Sequence, residues 1–487
     1  MARQGIPYDS LDRTDPQSIY EFSRLLIGQS LLSLFGQEAV NGKRKGKGGL
    51  GQMVEELFFK YEANSNREAD FSEAKVELKC TPLLKSKSDS GYRIKERLVC
   101  TMIDYFEIVN TDFEDSHLLA KCRLMLLLFY LHVSGKDIYD YEFVFRVLWQ
   151  LPEKDLLIIK QDYQAIAEKV KRGEAHLLSE GDTIYLGAAR KGQKGDSPQS
   201  QPYSKEKANN RAFSLKPAYM RHILSHVTSS GGNAFSNYSQ PEADTFELVS
   251  KEELAIKPFE KVILDRFKPF MGMNYVEICK HLGITPYQAK SKYADIASLI
   301  GSVNVSKRLN KAEEFVKSGI TLKTIRIKSD GKLAESMSFK NIDYREVFEN
   351  DDWFESEAYE LFTTRFMFVI FKPNPGEKIS VLNQKTGITD RETSYILDKV
   401  FFWTMQAEDL DTAREYWENI RQNVLSDNIS LNKFWKISDH RKFHVRPKAT
   451  TQAQKTSNPH GGEADKFCYW FNAEYVKHII DTHYDKI

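Results

Sequence analysis

Apolar and polar positions follow three rhythms in the first half of this chain. Residues 17–36, QSIYEFSRLLIGQSLLSLFG, carry apolar side chains at helical spacing with a polar break around Gly28, which predicts two short helices. In LGQMVEELFFKY, residues 50–61, Met53, Leu57 and Tyr61 fall four apart with Val54 and Phe58 beside them, an amphipathic helix that also carries Glu55 and Glu56. The period then drops to two. Along DFSEAKVELK, residues 70–79, a strand turns Glu77 and Lys79 to one side and Val76, Leu78 and the following Cys80 to the other. TPLLKSKSDSGYRIKERLVCTMIDY, residues 81–105, reads as strand, polar basic turn and strand. The third rhythm is continuous: KCRLMLLLFYLHVS, residues 121–134, fits a strand buried on both faces, with Lys121 at its start. A charged helix over 154–176 follows, and AFSLKPAYMRHIL, residues 212–224, reads as strand, proline and helix.

Two polar segments interrupt this order. NGKRKGKGG, residues 41–49, sets Lys43, Arg44, Lys45 and Lys47 among glycines, either a solvated connection or a backbone cradle for phosphate. RKGQKGDSPQSQPYSKEKANNR, residues 190–211, mixes amides with Arg190, Lys191, Lys194 and Arg211, a composition able to meet base edges. Residues 226–257 form the clearest linker.

Beyond the linker the pattern starts again. MGMNYVEICKHLG (271–283) answers IGQSLLSLFG, and KAEEFVKSGITLKT (311–324) answers the stretch around Asp70. ESMSFKNIDYREV (335–347) answers ERLVCTMIDYFEI, TTRFMFVIFK (363–372) answers KCRLMLLLFY, and CYWFNAEYVKHII (468–480) answers AFSLKPAYMRHIL. Five blocks in one order predict two tandem copies of one α/β domain, each a central mixed sheet flanked by helices, over 1–225 and 258–487. The copies differ in their polar residues. Asp70 is matched by Glu314, Glu77 by Thr321, Lys79 by Lys323, Lys121 by Thr363 and, more loosely, Glu55 by Ile300. The second copy keeps the fold signals and loses most of the charged set.

Composition narrows the class. The 69 basic and 68 acidic side chains nearly cancel, so any surface for a polyanion is local. The five cysteines are odd in number and widely spaced, without a CxxC pattern, and read as reduced core residues. With no apolar leader and no run long enough to span a bilayer, the expectation is a cytoplasmic protein with no membrane partner.

Asp70 and Glu77, converging from a turn and a strand, would make a hard oxygen site suited to Mg²⁺, with Lys79 one step along to hold or deprotonate a water. An ordinary solvated strand edge has the same spacing, and spacing alone leaves both readings open. The losses in the second copy favour the catalytic one.

Assembled, the motifs KGGLGQMVE, DFSEAKVELKCTP, KERLV and FSLKPAYM resemble the GATC-cleaving type II restriction endonucleases related to the mismatch-repair nuclease MutH. The resemblance covers most of the chain and implies a restriction-endonuclease-like fold in each half. It implies metal-binding acids at Asp70 and Glu77 and a catalytic lysine at Lys79. The helix acid falls at Glu55, with Glu56 its nearest competitor, and the second active-site lysine at Lys121. The family's DNA-reading segment resembles HVRPKA, residues 444–449, which places DNA contacts at Arg446 and Lys448. The first half reads YLGAARKG there, displacing its basic residues to Arg190 and Lys191. The implied function is Mg²⁺-dependent hydrolysis of double-stranded DNA at the GATC palindrome, the non-cutting half binding a second site or acting as a pseudo-partner. The expected protein is a monomer in solution able to dimerise on DNA, with a DNA methyltransferase as a functional companion. A repair nickase and a cleavage-dead DNA-binding regulator are the competing expectations.

Overall fold

The computed structural model describes residues 6–41, 49–61, 68–86, 91–191, 197–235, 245–304, 306–333, 336–383, 386–447 and 454–483. Lys47, Lys194 and Lys448 lie outside the described residues, as does most of the basic loop over 41–49. The chain divides into two compact units, Met1–Phe246 with Val316–Ser318, and Glu247–Phe315 with Gly319–Ile487.

In the first unit, Asp15 caps helix Pro16–Ser23 by accepting from the backbone of Gln17 and Ser18. Gly28, at φ 77°, then turns the chain, and a Ser30–Ser33 capping box starts helix Leu31–Phe35. The main sheet is built from β1 (Glu77–Lys85), β2 (Tyr92–Ile94), β4 (Leu124–Leu131), β5 (Phe143–Gln150) and β10 (Asn233–Phe235), in the order β10-β5-β4-β1-β2. β1 runs parallel to β4 and β10 parallel to β5, while the β4–β5 and β1–β2 pairs are antiparallel, so the sheet is mixed. A second, antiparallel sheet has the order β3-β9-β6, from β3 (Leu98–Met102), β6 (Leu186–Arg190) and β9 (Arg211–Leu215). Between β6 and β9, β7 (Gln199–Gln201) and β8 (Ser204–Ala208) form a hairpin inside the segment read above as a loop.

The core explains where the acidic stretch sits. Phe71, Val76 and Leu78 are buried together with Ile19, Phe22, Val54, Phe58, Leu126 and Leu128. Phe59 stacks edge-on to Phe71 at 5.2 Å and to Phe58 at 4.9 Å. The apolar half of the alternation therefore fixes the polar half.

The second unit begins with helix Lys251–Ile256, started by a Ser250–Glu253 capping box. Its mixed sheet runs β11 (Thr321–Arg326), β13 (Phe366–Leu382), β14 (Thr389–Trp403), with β11 parallel to β13 and β13 antiparallel to β14. Its antiparallel sheet runs β12 (Met337–Asn341), β18 (Cys468–Phe471), β15 (Phe443–Arg446), and β16 (Lys455–Ser457) pairs with β17 (Glu463–Asp465). Helices Ala407–Leu425 and Ala473–Thr482 pack a separate aromatic core of Trp353, Phe362, Tyr416, Trp417, Phe443 and Phe471. Among the described residues no helix is long and apolar enough to cross a membrane.

Three expectations change here. Lys121 does not begin a strand: it lies in the last turn of helix His117–Cys122, capped by Ser116, where its charge suits the helix's negative end. The helix over 50–61 is an α-helix only to Met53; Val54–Phe58 widen into a π turn, with Phe59 N bonding Val54 O at 3.0 Å. The proposed 226–257 linker is shared out. Helix Pro217–Ser229 runs into its first residues because Val227 continues the buried face, β10 joins the first sheet, and the unit boundary falls at Phe246.

Candidate active site

The stretch from Asp70 to Lys79 is a tight hairpin followed by β1. Phe71 and Val76 exchange backbone hydrogen bonds of 2.9 and 3.2 Å, and Lys75 takes a positive φ of 55° to close the turn. This fold-back carries Asp70 alongside the start of β1. Its Oδ2 accepts the backbone N–H of Leu78 at 2.9 Å, and its own N–H donates to Glu77 Oε2 at 3.3 Å. The two carboxylates are thus brought together by local backbone geometry.

Glu77 is 1% exposed, and the lysines compensate its charge. Lys79 Nζ donates to Oε1 at 2.6 Å, and Lys121 Nζ lies 3.3 and 3.2 Å from the two oxygens. Burial pulls the Lys79 pKa down more strongly than any other single influence, yet the charge and hydrogen bond of Glu77, with Asp70 behind them, leave it above the usual lysine value. Lys79 is therefore an ammonium that donates hydrogen bonds.

Glu55 enters from the π turn. Burial raises its pKa to about 7, the charge of Asp70 adds to the rise, and Lys79 and Lys121 oppose it. The charges of Asp70, Glu77, Lys79 and Lys121 all act on it. Asp70 is likewise raised, first by burial and then by the Glu77 charge, against the Leu78 hydrogen bond. Wide turns of this kind recur at functional sites, and here the turn supplies one more acid.

Among the described residues no group of three or more His, Cys, Asp and Glu side chains forms a metal cluster. Asp70 and Glu77 nonetheless suit a small hard cation. Mg²⁺ is held by one or two carboxylates with water and phosphate completing its shell, and Asp70 and Glu55, raised first by burial and then by neighbouring acid charge, are the electrostatic surroundings that a dication relieves.

The predicted DNA contacts fall elsewhere. Arg190 and Arg211 stand directly opposite each other across the β6–β9 pair. Arg211 Nη1 donates to Ala188 O at 2.6 Å, and Arg190 lies 3.5 Å from Asn209 Oδ1. Lys191 is exposed just beyond. In the second unit the Arg446 guanidinium stacks on Trp470 at 4.6 Å. Strand register makes the displacement of these basic residues concrete. Leu186 faces Leu215 and Phe443 faces Phe471, each partner ending its strand before a helix, so Arg446 corresponds to Ala189 and not to Arg190. One residue of displacement turns the side chain to the opposite face.

The positions that answer the acidic set in the second unit make other contacts. Glu314 is fully buried, its carboxylate accepting from the backbone of Leu248 at 3.0 Å and Val249 at 3.3 Å. Lys323 Nζ donates to Ser338 O at 3.0 Å and sits 4.5 Å over the Phe339 ring. Thr363 bonds Tyr359 O at 2.7 Å within the end of helix Glu357–Phe362.

Residues 59–162 match the family model described as DNA mismatch repair enzyme MutH, a span that contains Asp70, Glu77, Lys79 and Lys121. The type II restriction enzyme Sau3AI of Staphylococcus aureus is 29% identical over 516 aligned residues, covering 96% of this chain and 98% of that enzyme. The DNA mismatch repair protein MutH of Shewanella baltica (strain OS195) is 24% identical over 218 residues, covering 43% of this chain and 94% of that protein.

Proposed function

We propose, from the similarity to the MutH family model and to the restriction enzyme Sau3AI, that this chain is a MutH-related type II endonuclease hydrolysing both strands of DNA at GATC sites with Mg²⁺. The observation that carries the reading is the buried Glu77 carboxylate, touched by Lys79 and Lys121 and backed by Asp70. Asp70 and Glu77 would hold the cation. When bound, Mg²⁺ supplies positive charge to the scissile phosphate and the attacking water. Lys79, kept protonated by its neighbours, orients that water by hydrogen bonding; Lys121 stabilises charge developing on the phosphate; Glu55, poised near neutrality, accepts a proton from the water. The test is plasmid cleavage by Lys79→Ala. Loss of cutting by at least about 100-fold with DNA binding retained is expected, and cutting at the wild-type rate would refute the assignment.

The second unit is proposed as a related domain that binds DNA without cutting. What supports this is the use made of its Glu314, Lys323 and Thr363, each engaged with backbone carbonyls or amides of the fold. Arg446, braced on Trp470, is its candidate DNA contact. DNAs with one and two GATC sites, with and without an added GATC oligonucleotide, measure this role. Faster cutting of two-site DNA and stimulation by the oligonucleotide are expected; indifference to both would remove the second unit's effector role.

A further inference from the structure

The β7–β8 hairpin has no role in the site just described, and its residues combine backbone strain, rigid support and unpaired charge. Gln201 pairs with Ser204, closing a two-residue turn of Pro202 and Tyr203. Proline presets the first turn position; the second needs a positive φ, which glycine adopts without cost. Tyr203 occupies it at φ 63°. Its ring does not offset the strain by burial, since the residue is 71% exposed. A bulky residue kept in a left-handed conformation with its side chain in solvent calls for a use outside the fold.

The hairpin is held firmly from behind. Gln201 is buried, its Oε1 accepting Ala175 N at 2.8 Å and its Nε2 donating to Glu206 O at 2.7 Å. Gly173, at φ 74°, lets the chain leaving helix Glu153–Lys171 approach, because a Cβ there would lie 2.7 Å from Tyr203 O. The outer face is basic. Lys205 and Lys207 are exposed on β8 either side of the exposed Glu206, where the strand bulges against β7, and neither lysine side chain has an ion pair or hydrogen bond among the described residues. The chain continues from this row into Arg211, opposite Arg190. β9 then leads about 13 Å to Leu215, which faces Leu98 at the start of β3. Over residues 190–211 six basic side chains stand against two acidic ones, Asp196 and Glu206, a local excess of positive charge that a polyanion would relieve.

We propose that the β7–β8 ribbon is a clamp on the sugar–phosphate backbone of duplex DNA, with Lys205 and Lys207 on phosphates of one strand and the Tyr203 ring against the sugar edge. The clamp is independent of base sequence and rests on the endonuclease reading above.

The full chain is titrated with two short duplexes, one carrying GATC and one lacking it, in Ca²⁺ and in salt from 50 to 200 mM. For Lys205→Ala/Lys207→Ala, the slope of log affinity against log salt should shrink by about 1.8. Affinity should fall roughly tenfold or more for both duplexes, leaving their ratio unchanged. An unchanged slope, or a collapsed ratio at constant slope, overturns the clamp. Tyr203→Gly separates contact from packing: it should weaken binding while raising the melting temperature by about 2–4 °C. A lowered melting temperature would assign Tyr203 to the fold and overturn its part. Failure of the wild-type chain to bind or cut either duplex defeats the endonuclease reading itself, an outcome distinct from a loss confined to the variants.

Discussion

At the residue scale the candidate site is a balance of buried charges, and Glu55 shows its two sides. The fold raises its pKa from 4.5 to about 7, by burial first and Asp70 second. An acid raised in this way contributes its full stability below pH 4.5 and loses it as pH rises through 7. Glu55→Gln should therefore stabilise the metal-free protein by about 1–2 kcal/mol at pH 8, after discounting for partial exposure, and by little at pH 4.5. Melting curves in chelator at the two pH values measure this, and a gap independent of pH would show that Glu55 is not perturbed as described. The same variant should lose cleavage by about 100-fold or more. His444 works in the opposite sense. It is fully buried, stacked on Trp470, and both ring nitrogens lack a partner among the described residues; burial and then Arg446 lower its pKa to about 4. The unfolded chain binds its proton first, so stability is complete above pH 6.5 and falls by about 2–3 kcal/mol as pH drops to 4. His444→Phe should flatten that acid limb in melting temperature against pH.

At the element scale, what the sequence discloses depends on how local the cause is. The Asp70–Lys79 hairpin is legible because strand alternation separates Val76 and Leu78 from Glu77 and Lys79, and the turn that returns Asp70 spans only Ser72–Lys75. The π turn at Val54–Phe58 is not, because one extra residue per turn leaves the apolar spacing of Val54, Phe58 and Phe59 almost unaltered. Lys121 lies one element earlier than its apolar surroundings suggest, since the run beginning at Cys122 hides a helix end that only the Ser116 cap marks. The β7–β8 hairpin was hidden by its polar composition; its anchor, Gln201, is buried by contacts with Ala175 and Glu206 that no short-range pattern announces. The support at Gly173 gives a direct check. Gly173→Ala meets both a positive φ and Tyr203 O at 2.7 Å, so it should destabilise the first unit by about 1–3 kcal/mol and loosen the hairpin in hydrogen exchange.

At the scale of the whole molecule, two units with separate cores should unfold in two calorimetric transitions. Mg²⁺ at one hundred times its Kd should stabilise the first by about 2.7 kcal/mol and leave the second unmoved. A shift of the second transition alone would place the cation in the wrong half. With 69 basic and 68 acidic residues the chain has no general attraction for DNA, so on the proposed reading binding rests on local groups such as those on β6, β8 and β9. The Glu314 carboxylate has a historical consequence. On the reading that one domain was duplicated, Glu314 now joins the Leu248–Val249 segment to its own helix. Introducing Thr321→Glu and Thr363→Lys would restore the charges of an ancestor but not its site, because freeing Glu314 for a cation would undo a folding contact. On that reading the second half has passed a point of no return: a gain of cutting would require its entrance segment to be rebuilt first.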